Sequence, residues 1–179
     1  GSTAEILSRV LAKNKYEVGL LTSPHLVKFN ERIRINNKNI DDSEMLNCLE
    51  EVDKLKESKE LNFYQIIAAA AFLFFSKKKL DVWILEVGLG GRLDPANYFD
   101  ADISVITKIA LDHENILGKG VENIGREKAG IFRTNQTVIF GEGFIPNSVI
   151  KIVEKLNVDF HKVDGTNIES AYFHKNSLG

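Results

Sequence analysis

The segment that most restricts the fold is an apolar run that ends abruptly in a carboxylate and several glycines. Residues 82–85 (VWIL) contain no polar position, which is typical of a strand covered on both faces of a parallel sheet. Glu86 and the glycine-rich residues 88–91 (GLGG) follow almost directly. Burying a carboxylate there costs several kcal/mol unless it meets a cation or hydrogen-bond donors. We therefore expect Glu86 to bind Mg²⁺; the alternative is a carboxylate that accepts hydrogen bonds from loop amides.

Strand-like and helix-like patterns alternate along the rest of the chain. This alternation predicts an α/β fold in which helices sandwich a mostly parallel sheet. Because 179 residues suffice for one sizeable core and no linker or repeat interrupts them, we expect residues 1–179 to form a single domain. Strands are predicted at 15–22, 32–35, 82–85, 103–109, 138–140 and 158–163, and helices at the N-terminus, after Asp41, and at 63–77, 121–130 and 147–156.

The segment 88–101, between two predicted strands, has no helical pattern. Loops of this length inside a compact domain are usually functional. Its glycines match part of a dinucleotide-binding fingerprint, but Leu93 stands where the third glycine is needed, and Pro95 disfavours the helix that should follow. An NAD site is therefore a weak interpretation of this loop.

Composition excludes several classes of protein. The formal net charge of −2 gives no field that would attract nucleic acid or an anionic membrane. The single cysteine, Cys48, excludes an internal disulfide and suits a reducing cytosol. No apolar segment approaches the roughly 18 residues of a membrane span, and no signal-peptide pattern is present. We expect a cytoplasmic enzyme or small-molecule-binding domain.

Several polar segments are predicted to lie at one edge of the sheet, where open parallel sheets bind their ligands. They follow predicted strands or begin the first helix: Gly1-Ser2, residues 23–25 (SPH), Glu86 and Asp112-His113. From position alone, a ligand role and a structural role remain equally open for His113.

Six short strings occur in a fixed order along the chain. They are GS at 1–2, LTSPHL at 21–26, NERI at 30–33, ILEVGLGGRLDPAN at 84–97, ALDH at 110–113 and IGREKAGIF at 124–132. Together they resemble folylpolyglutamate synthases and dihydrofolate synthases of the Mur ligase superfamily, and the resemblance runs from residue 1 to about residue 145. It implies a P-loop-like central ATPase domain, here without its first strand and without the family's C-terminal domain.

The resemblance implies an ATP- and Mg²⁺-dependent ligase of folate biosynthesis and one-carbon metabolism. Such an enzyme phosphorylates a substrate carboxylate, and the amine of L-glutamate then attacks the acyl phosphate. The acceptor is dihydropteroate, a reduced folate or both. The parent protein is expected to be a monomer, and the 179-residue piece alone to be inactive, because the Gly-x-x-Gly-Lys part of the phosphate loop is missing from it.

The resemblance also assigns metal and catalytic residues. Gly1 and Ser2 match the end of the phosphate loop, which makes Ser2 a Mg²⁺ ligand. Ser23, Glu86 and His113 match a second Mg²⁺ site, so one or two ions are implied. Lys128 resembles the lysine that is carbamylated in this superfamily, and it joins His113 as a catalytic residue. The alternative for Lys128 is a surface lysine paired with a carboxylate.

Cofactor contacts are implied for the long loop as well. The segment 88–97 is similar to a mobile loop that lies between nucleotide and folate in the family. It carries the four implied cofactor-binding residues Gly90, Gly91, Asp94 and Asn97.

Other interpretations remain open beside this one. The chain could be a non-catalytic relative that binds nucleotide or folate, and Ser2 has no role if Gly1-Ser2 is a cloning remnant. A ligase that acts on a cell-wall precursor is disfavoured by the SPH and LDPAN strings. Tyr64-Gln65 stands where family members usually carry Phe-Glu, so a contact to folate can differ.

Overall fold

The computed structural model describes residues 1–163, and the chain divides into two compact units between Gly88 and Leu89. Each unit has its own sheet and its own apolar core. The α/β class is confirmed, although the strands are divided between two sheets. That both units act as a single ATP-binding domain stays a prediction.

Unit 1 is built on a four-stranded sheet with the order β3-β2-β1-β4. β1 runs parallel to β4, with Leu21 opposite Leu85, whereas β2 is antiparallel to both β1 and β3. The elements are α1 (Ser2–Lys13), β1 (Val18–Leu21), a 3-10 helix (Phe29–Arg32), β2 (Ile33–Ile35), β3 (Lys38–Asn39), α2 (Asp42–Leu55), α3 (Phe63–Ser76) and β4 (Val82–Leu85).

Side chains cap the first turns of α2 and α3, whereas α1 begins after Gly1 without a side-chain cap and without the capping box that Ser2 and Glu5 predict. The Asp41 carboxylate accepts a 2.8 Å hydrogen bond from the Glu44 amide at the start of α2. Asn62 and Gln65 form a reciprocal capping box at the start of α3. As its apolar composition predicts, α3 is largely buried, with Ile67 and Phe75 inside the core.

The strand β4 differs from the prediction in its burial. Its residues are half-buried rather than fully covered, because within residues 1–163 β4 lies at the edge of its sheet and pairs only with β1. Its parallel pairing with β1 still brings the carboxyl ends of the two strands side by side. The residues that follow them, Thr22-Ser23 and Glu86, therefore leave the sheet at the same edge.

Unit 2 contains a three-stranded parallel sheet with the order β5-β6-β7. Apolar residues of the strands and of α5 and α6, among them Ile124, Phe140 and Val149, form its core. The elements are a 3-10 helix (Pro95–Tyr98), β5 (Ile103–Ile106), α4 (Glu114–Leu117), α5 (Val121–Ala129), β6 (Thr137–Phe140), α6 (Asn147–Leu156) and β7 (Asp159–Lys162). In the described part of the chain, no helix has both the length and the apolar character that crossing a bilayer requires.

Candidate functional site

The carboxylate of Glu86 is the centre of a polar cluster at the carboxyl ends of β1 and β4. Its Oε2 accepts a 2.9 Å hydrogen bond from the backbone amide of Ser23 and a second bond from the Thr22 hydroxyl. Its Oε1 contacts the terminal ammonium of Gly1. Sequence reasoning predicted Glu86 and Ser23 at this place but not the contribution of Thr22, which closes the preceding predicted strand.

The contacts of Glu86 determine its protonation state. Partial burial favours the neutral acid, but the hydrogen bonds from the Gly1 ammonium, the Thr22 hydroxyl and the Ser23 amide outweigh it and hold the pKa of Glu86 below its usual value. The carboxylate is therefore ionised at neutral pH. Its side chain is 20% exposed, so a solvated ion can reach it. The Thr22 and Ser23 bonds do not depend on the free amino group of Gly1.

The main chain at Glu86 is also held on two sides. Its amide donates to the Leu21 carbonyl at 2.9 Å, and its carbonyl accepts a 2.7 Å hydrogen bond from the Tyr64 hydroxyl. The Tyr64 ring packs on Gly88, where a Cβ atom would lie 2.8 Å from the ring. Tyr64 is thus part of the scaffold of the site, a role that its sequence did not reveal.

The N-terminus of α1 lies at the same cluster. Gly1 is the N-cap of α1 and contacts Glu86, and the exposed Ser2 is the first residue of the helix. A helix N-terminus attracts anions through its free amides and its dipole. The structure therefore brings together Gly1, Ser23 and Glu86, with Ser2 adjacent, and their roles as phosphate or metal ligands stay predictions.

The oxygen donors of this cluster fit a hard divalent cation. Among residues 1–163, no three His, Cys, Asp or Glu side chains form a group that could hold a metal. Mg²⁺ is commonly held by one or two carboxylates together with water and substrate phosphates, so it does not need such a group. One ionised carboxylate beside the Thr22 hydroxyl and a helix N-terminus suits that pattern.

The two predicted catalytic residues belong to unit 2. His113 precedes α4 with a left-handed backbone (φ 51°), and its side chain is 56% exposed, with Nε2 3.6 Å from Asp112 Oδ1. Lys128 lies half-buried on α5, and its ammonium has no carboxylate partner within the described residues. That His113 shares a metal with Ser23 and Glu86 stays a prediction, as does the carbamylation of Lys128.

The long loop is held by its own polar side chains. Asp94, which is 9% exposed, accepts hydrogen bonds from the amides of Ala96 (2.9 Å) and Leu89 (3.2 Å). The Asn97 amide group donates to the carbonyls of Arg92 (3.0 Å) and Gly130 (3.1 Å). Both side chains therefore shape the loop, and their predicted contact with a cofactor stays a prediction.

The two glycines of the loop allow a close approach to α5. Gly90 has a left-handed φ of +69°, and a Cβ atom on Gly91 would lie 2.9 Å from the Glu127 carbonyl oxygen. An ion pair of 2.9 Å between Arg92 and Glu127 adds a further connection. Both glycines are buried, with the Leu117 side chain against Gly90 and the Ile131 side chain against Gly91, and their predicted cofactor contact stays a prediction.

Comparison with known proteins identifies the family. No family model matches the chain. A dihydrofolate synthase/folylpolyglutamate synthase of Buchnera aphidicola (subsp. Acyrthosiphon pisum) is 42% identical over 164 residues, which are 92% of this chain and 40% of the relative. The Escherichia coli protein of the same name is 40% identical over 155 residues, 87% of this chain and 37% of the relative. The chain belongs to the dihydrofolate synthase/folylpolyglutamate synthase family.

Solved structures of this family superpose on the chain. Escherichia coli FolC in complex with DHPP and ADP has a TM-score of 0.88 and 38% identity, and the match covers 90% of this chain and 39% of FolC. The Yersinia pestis bifunctional folylpolyglutamate synthase/dihydrofolate synthase complexed with AMPPNP and Mn ion has a TM-score of 0.82 and 36% identity, with 89% and 39% covered. The chain thus spans about two-fifths of the length of the dihydrofolate synthase/folylpolyglutamate synthases that it matches.

Proposed function

We propose that this chain supplies the ATP- and Mg²⁺-binding core of a ligase that adds L-glutamate to dihydropteroate, to folates or to both. Membership of the family supports the reaction class. The observation that carries the proposal is the ionised Glu86 held by Thr22 and Ser23 beside the N-terminus of α1. These groups meet at the carboxyl ends of two parallel strands, where α/β sheets bind ligands.

The Ser2 hydroxyl would hold one Mg²⁺ ion, and Ser23, Glu86 and His113 would hold a second. Bound Mg²⁺ offsets negative charge on the transferred phosphoryl group. Imidazole is an unusual ligand for Mg²⁺, so we expect Mn²⁺ to be accepted as readily. Amides at the N-terminus of α1, beginning at Ser2, would bind a phosphate of ATP.

In the proposed reaction the acceptor carboxylate takes the γ-phosphoryl group of ATP, which yields ADP and an acyl phosphate. The amine of glutamate then attacks the acyl carbon, and phosphate leaves as the amide bond forms. The residues of this chain orient anions and offset charge rather than form covalent bonds to the substrate. The loop that contains Gly90, Gly91, Asp94 and Asn97 would contact the bound nucleotide and the acceptor.

Lys128 would act as a carbamate in this ligase. Its neutral amine adds CO₂, a proton is released, and the side chain becomes an anion able to hold a metal. The absence of a carboxylate partner within the described part of the chain supports this role, because a carbamate would not have to displace an existing ion pair.

The test is ATP-dependent phosphate release by a protein that comprises this chain and the remaining length found in its relatives. Mg²⁺, glutamate and either dihydropteroate or tetrahydrofolate are supplied in turn. Release that requires one of these acceptors supports the ligase and identifies its substrate. Folded protein that binds ATP but releases no phosphate with either acceptor would instead indicate a non-catalytic binding relative.

Two further expectations belong to this proposal. The 179-residue chain alone should show no turnover, because it spans only about two-fifths of the length of its relatives. The parent protein should behave as a monomer in light scattering and should bind neither nucleic acid nor membranes, in line with the low net charge of this chain.

A further inference from the structure

The loop that carries Ser23 has little hydrophobic burial to hold it. Between β1 and the 3-10 helix, the side chains of Leu26 and Val27 are 92% and 82% exposed, and Pro24 and Lys28 are exposed as well. An exposed loop of this kind keeps one conformation only if its backbone groups find fixed partners.

One side chain supplies those partners at the far end of the loop. The carboxylate of Glu31 accepts hydrogen bonds from three consecutive amides, those of Leu26 (2.8 Å), Val27 (3.2 Å) and Lys28 (2.8 Å). The Glu31 amide donates in return to the Lys28 carbonyl at 3.0 Å. The amides of Lys28, Leu26 and Val27 lower the pKa of Glu31, so the carboxylate is ionised in the folded chain.

The near end of the same loop is bound by Glu86 through the Ser23 amide and the Thr22 hydroxyl. In the middle, His25 Nδ1 accepts a 2.9 Å hydrogen bond from Nε of the buried Arg32, the residue after Glu31. Residues 22–28 are therefore fastened at one end by Glu86 and at the other end by Glu31. Loss of the Glu31 bonds would release the end of the loop that begins three residues after Ser23.

We propose that Glu31 is a positioning residue for the metal site: by binding the amides of residues 26–28 it keeps Ser23 beside Glu86. This inference rests on the proposed function, because it takes Glu86 and Ser23 as metal ligands. Glu31 itself does not bind the metal, since its carboxylate oxygens are occupied by the loop amides. Residues that orient metal ligands typically contribute about 10- to 100-fold to metal affinity.

The test compares Mn²⁺ binding by the ¹⁵N-labelled 179-residue chain and its variants in NMR spectra. In the wild-type chain, Mn²⁺ should broaden the amide signals of Thr22 and Ser23. Glu31→Gln replaces one carboxylate oxygen, which accepts hydrogen bonds from the loop amides, by an NH₂ group, which is itself a donor. The Mn²⁺ affinity of this variant should therefore fall about tenfold or more. Amide hydrogen exchange of residues 26–28 should accelerate in the same variant.

Two variants complete the design. Glu50→Gln is the matched control: Glu50 is exposed on α2 and has no hydrogen bond or ion pair to the described residues, so its variant should bind Mn²⁺ like the wild type. Glu31→Asp keeps the charge but is shorter by one methylene, and its Mn²⁺ affinity should lie between those of the wild type and Glu31→Gln. Glu31→Asp also provides the test of the proposal if Glu31→Gln does not fold.

The possible failures are distinguishable. A wild-type chain whose Thr22 and Ser23 signals are not broadened by Mn²⁺ would overturn the metal site and the present inference with it. A folded Glu31 variant with fast amide exchange at residues 26–28 but wild-type Mn²⁺ affinity would overturn the positioning role alone.

Discussion

Ser23 donates its backbone amide to the Glu86 carboxylate at 2.9 Å, although 63 positions of sequence separate the two residues. The parallel pairing of β1 with β4 produces this contact, because it places Leu21 opposite Leu85 and sends both following segments out at one edge. The strand pairing thus brings together a loop amide and a carboxylate that lie far apart in the sequence.

The stability of the folded chain should depend on pH through Glu86. The folded pKa of Glu86 lies below the ordinary value of 4.5, so its ionised form stabilises the fold above that pH, and this contribution is lost as the pH falls through the lowered pKa. In urea denaturation, Glu86→Gln should be less stable than the wild type at pH 7, and the difference should narrow below pH 4.5. A difference that stays constant from pH 7 to pH 3 would argue against the hydrogen bonds described for this carboxylate.

The helix cap at Asp41 gives a prediction that is independent of the site. Asp41→Ala removes the acceptor for the Glu44 amide and should lower the free energy of unfolding. Asp41→Asn should cost much less, because asparagine caps helices about as well. Thermal and urea denaturation of both variants would check this. Equal losses in the two variants would mean that charge, and not the cap, is responsible.

Gly88 should tolerate no larger residue while Tyr64 is present. A Cβ atom at position 88 would lie 2.8 Å from the Tyr64 ring, so Gly88→Ala must displace the ring and should destabilise the chain by about 1–3 kcal/mol. In Tyr64→Ala the same glycine substitution should cost much less. A double-mutant cycle in urea would measure the coupling. If the losses of unfolding free energy in the two single variants simply add up in the double variant, the packing of Tyr64 on Gly88 would be contradicted.

Carbamylation of Lys128 predicts a spectroscopic signal. The parent ligase supplied with ¹³C-bicarbonate should show a carbamate resonance that disappears in Lys128→Arg, together with most of the activity, since arginine keeps the charge but does not form the carbamate. Lys155→Arg, a lysine in the last turn of α6, serves as the control and should keep both. A carbamate signal that persists in Lys128→Arg would place the modification elsewhere.

Much of the architecture could be predicted because it depends on local patterns. The helix after Asp41, the apolar α3 and the carboxylate that ends β4 all follow from neighbouring residues. The division of the strands between two sheets could not be predicted, because strand pairing depends on contacts between segments far apart in sequence.

Part of the candidate site could also be predicted from the sequence. Glu86 could be identified because a charge at the end of an apolar strand requires a partner. The segment that contains Ser23 could be placed at the same edge because it follows a predicted strand, whereas Lys128 was identified only through the family resemblance. The contributions of Thr22, Tyr64 and Glu31 escaped prediction, because each acts through a hydrogen bond whose partner the sequence does not specify. The structural role of Asp94 could have been predicted, since Asp-Pro commonly begins a turn held by the aspartate side chain.

The most direct test of the account is the Mg²⁺ dependence of acceptor-stimulated phosphate release by the parent ligase with Glu86→Gln, and with Glu50→Gln as a matched control. If Glu86 holds the metal, Glu86→Gln should abolish the release or shift its Mg²⁺ requirement at least tenfold upward, while Glu50→Gln behaves as the wild type. A folded Glu86→Gln enzyme with an unchanged rate and an unchanged Mg²⁺ requirement would contradict the assignment of Glu86 as the centre of the site.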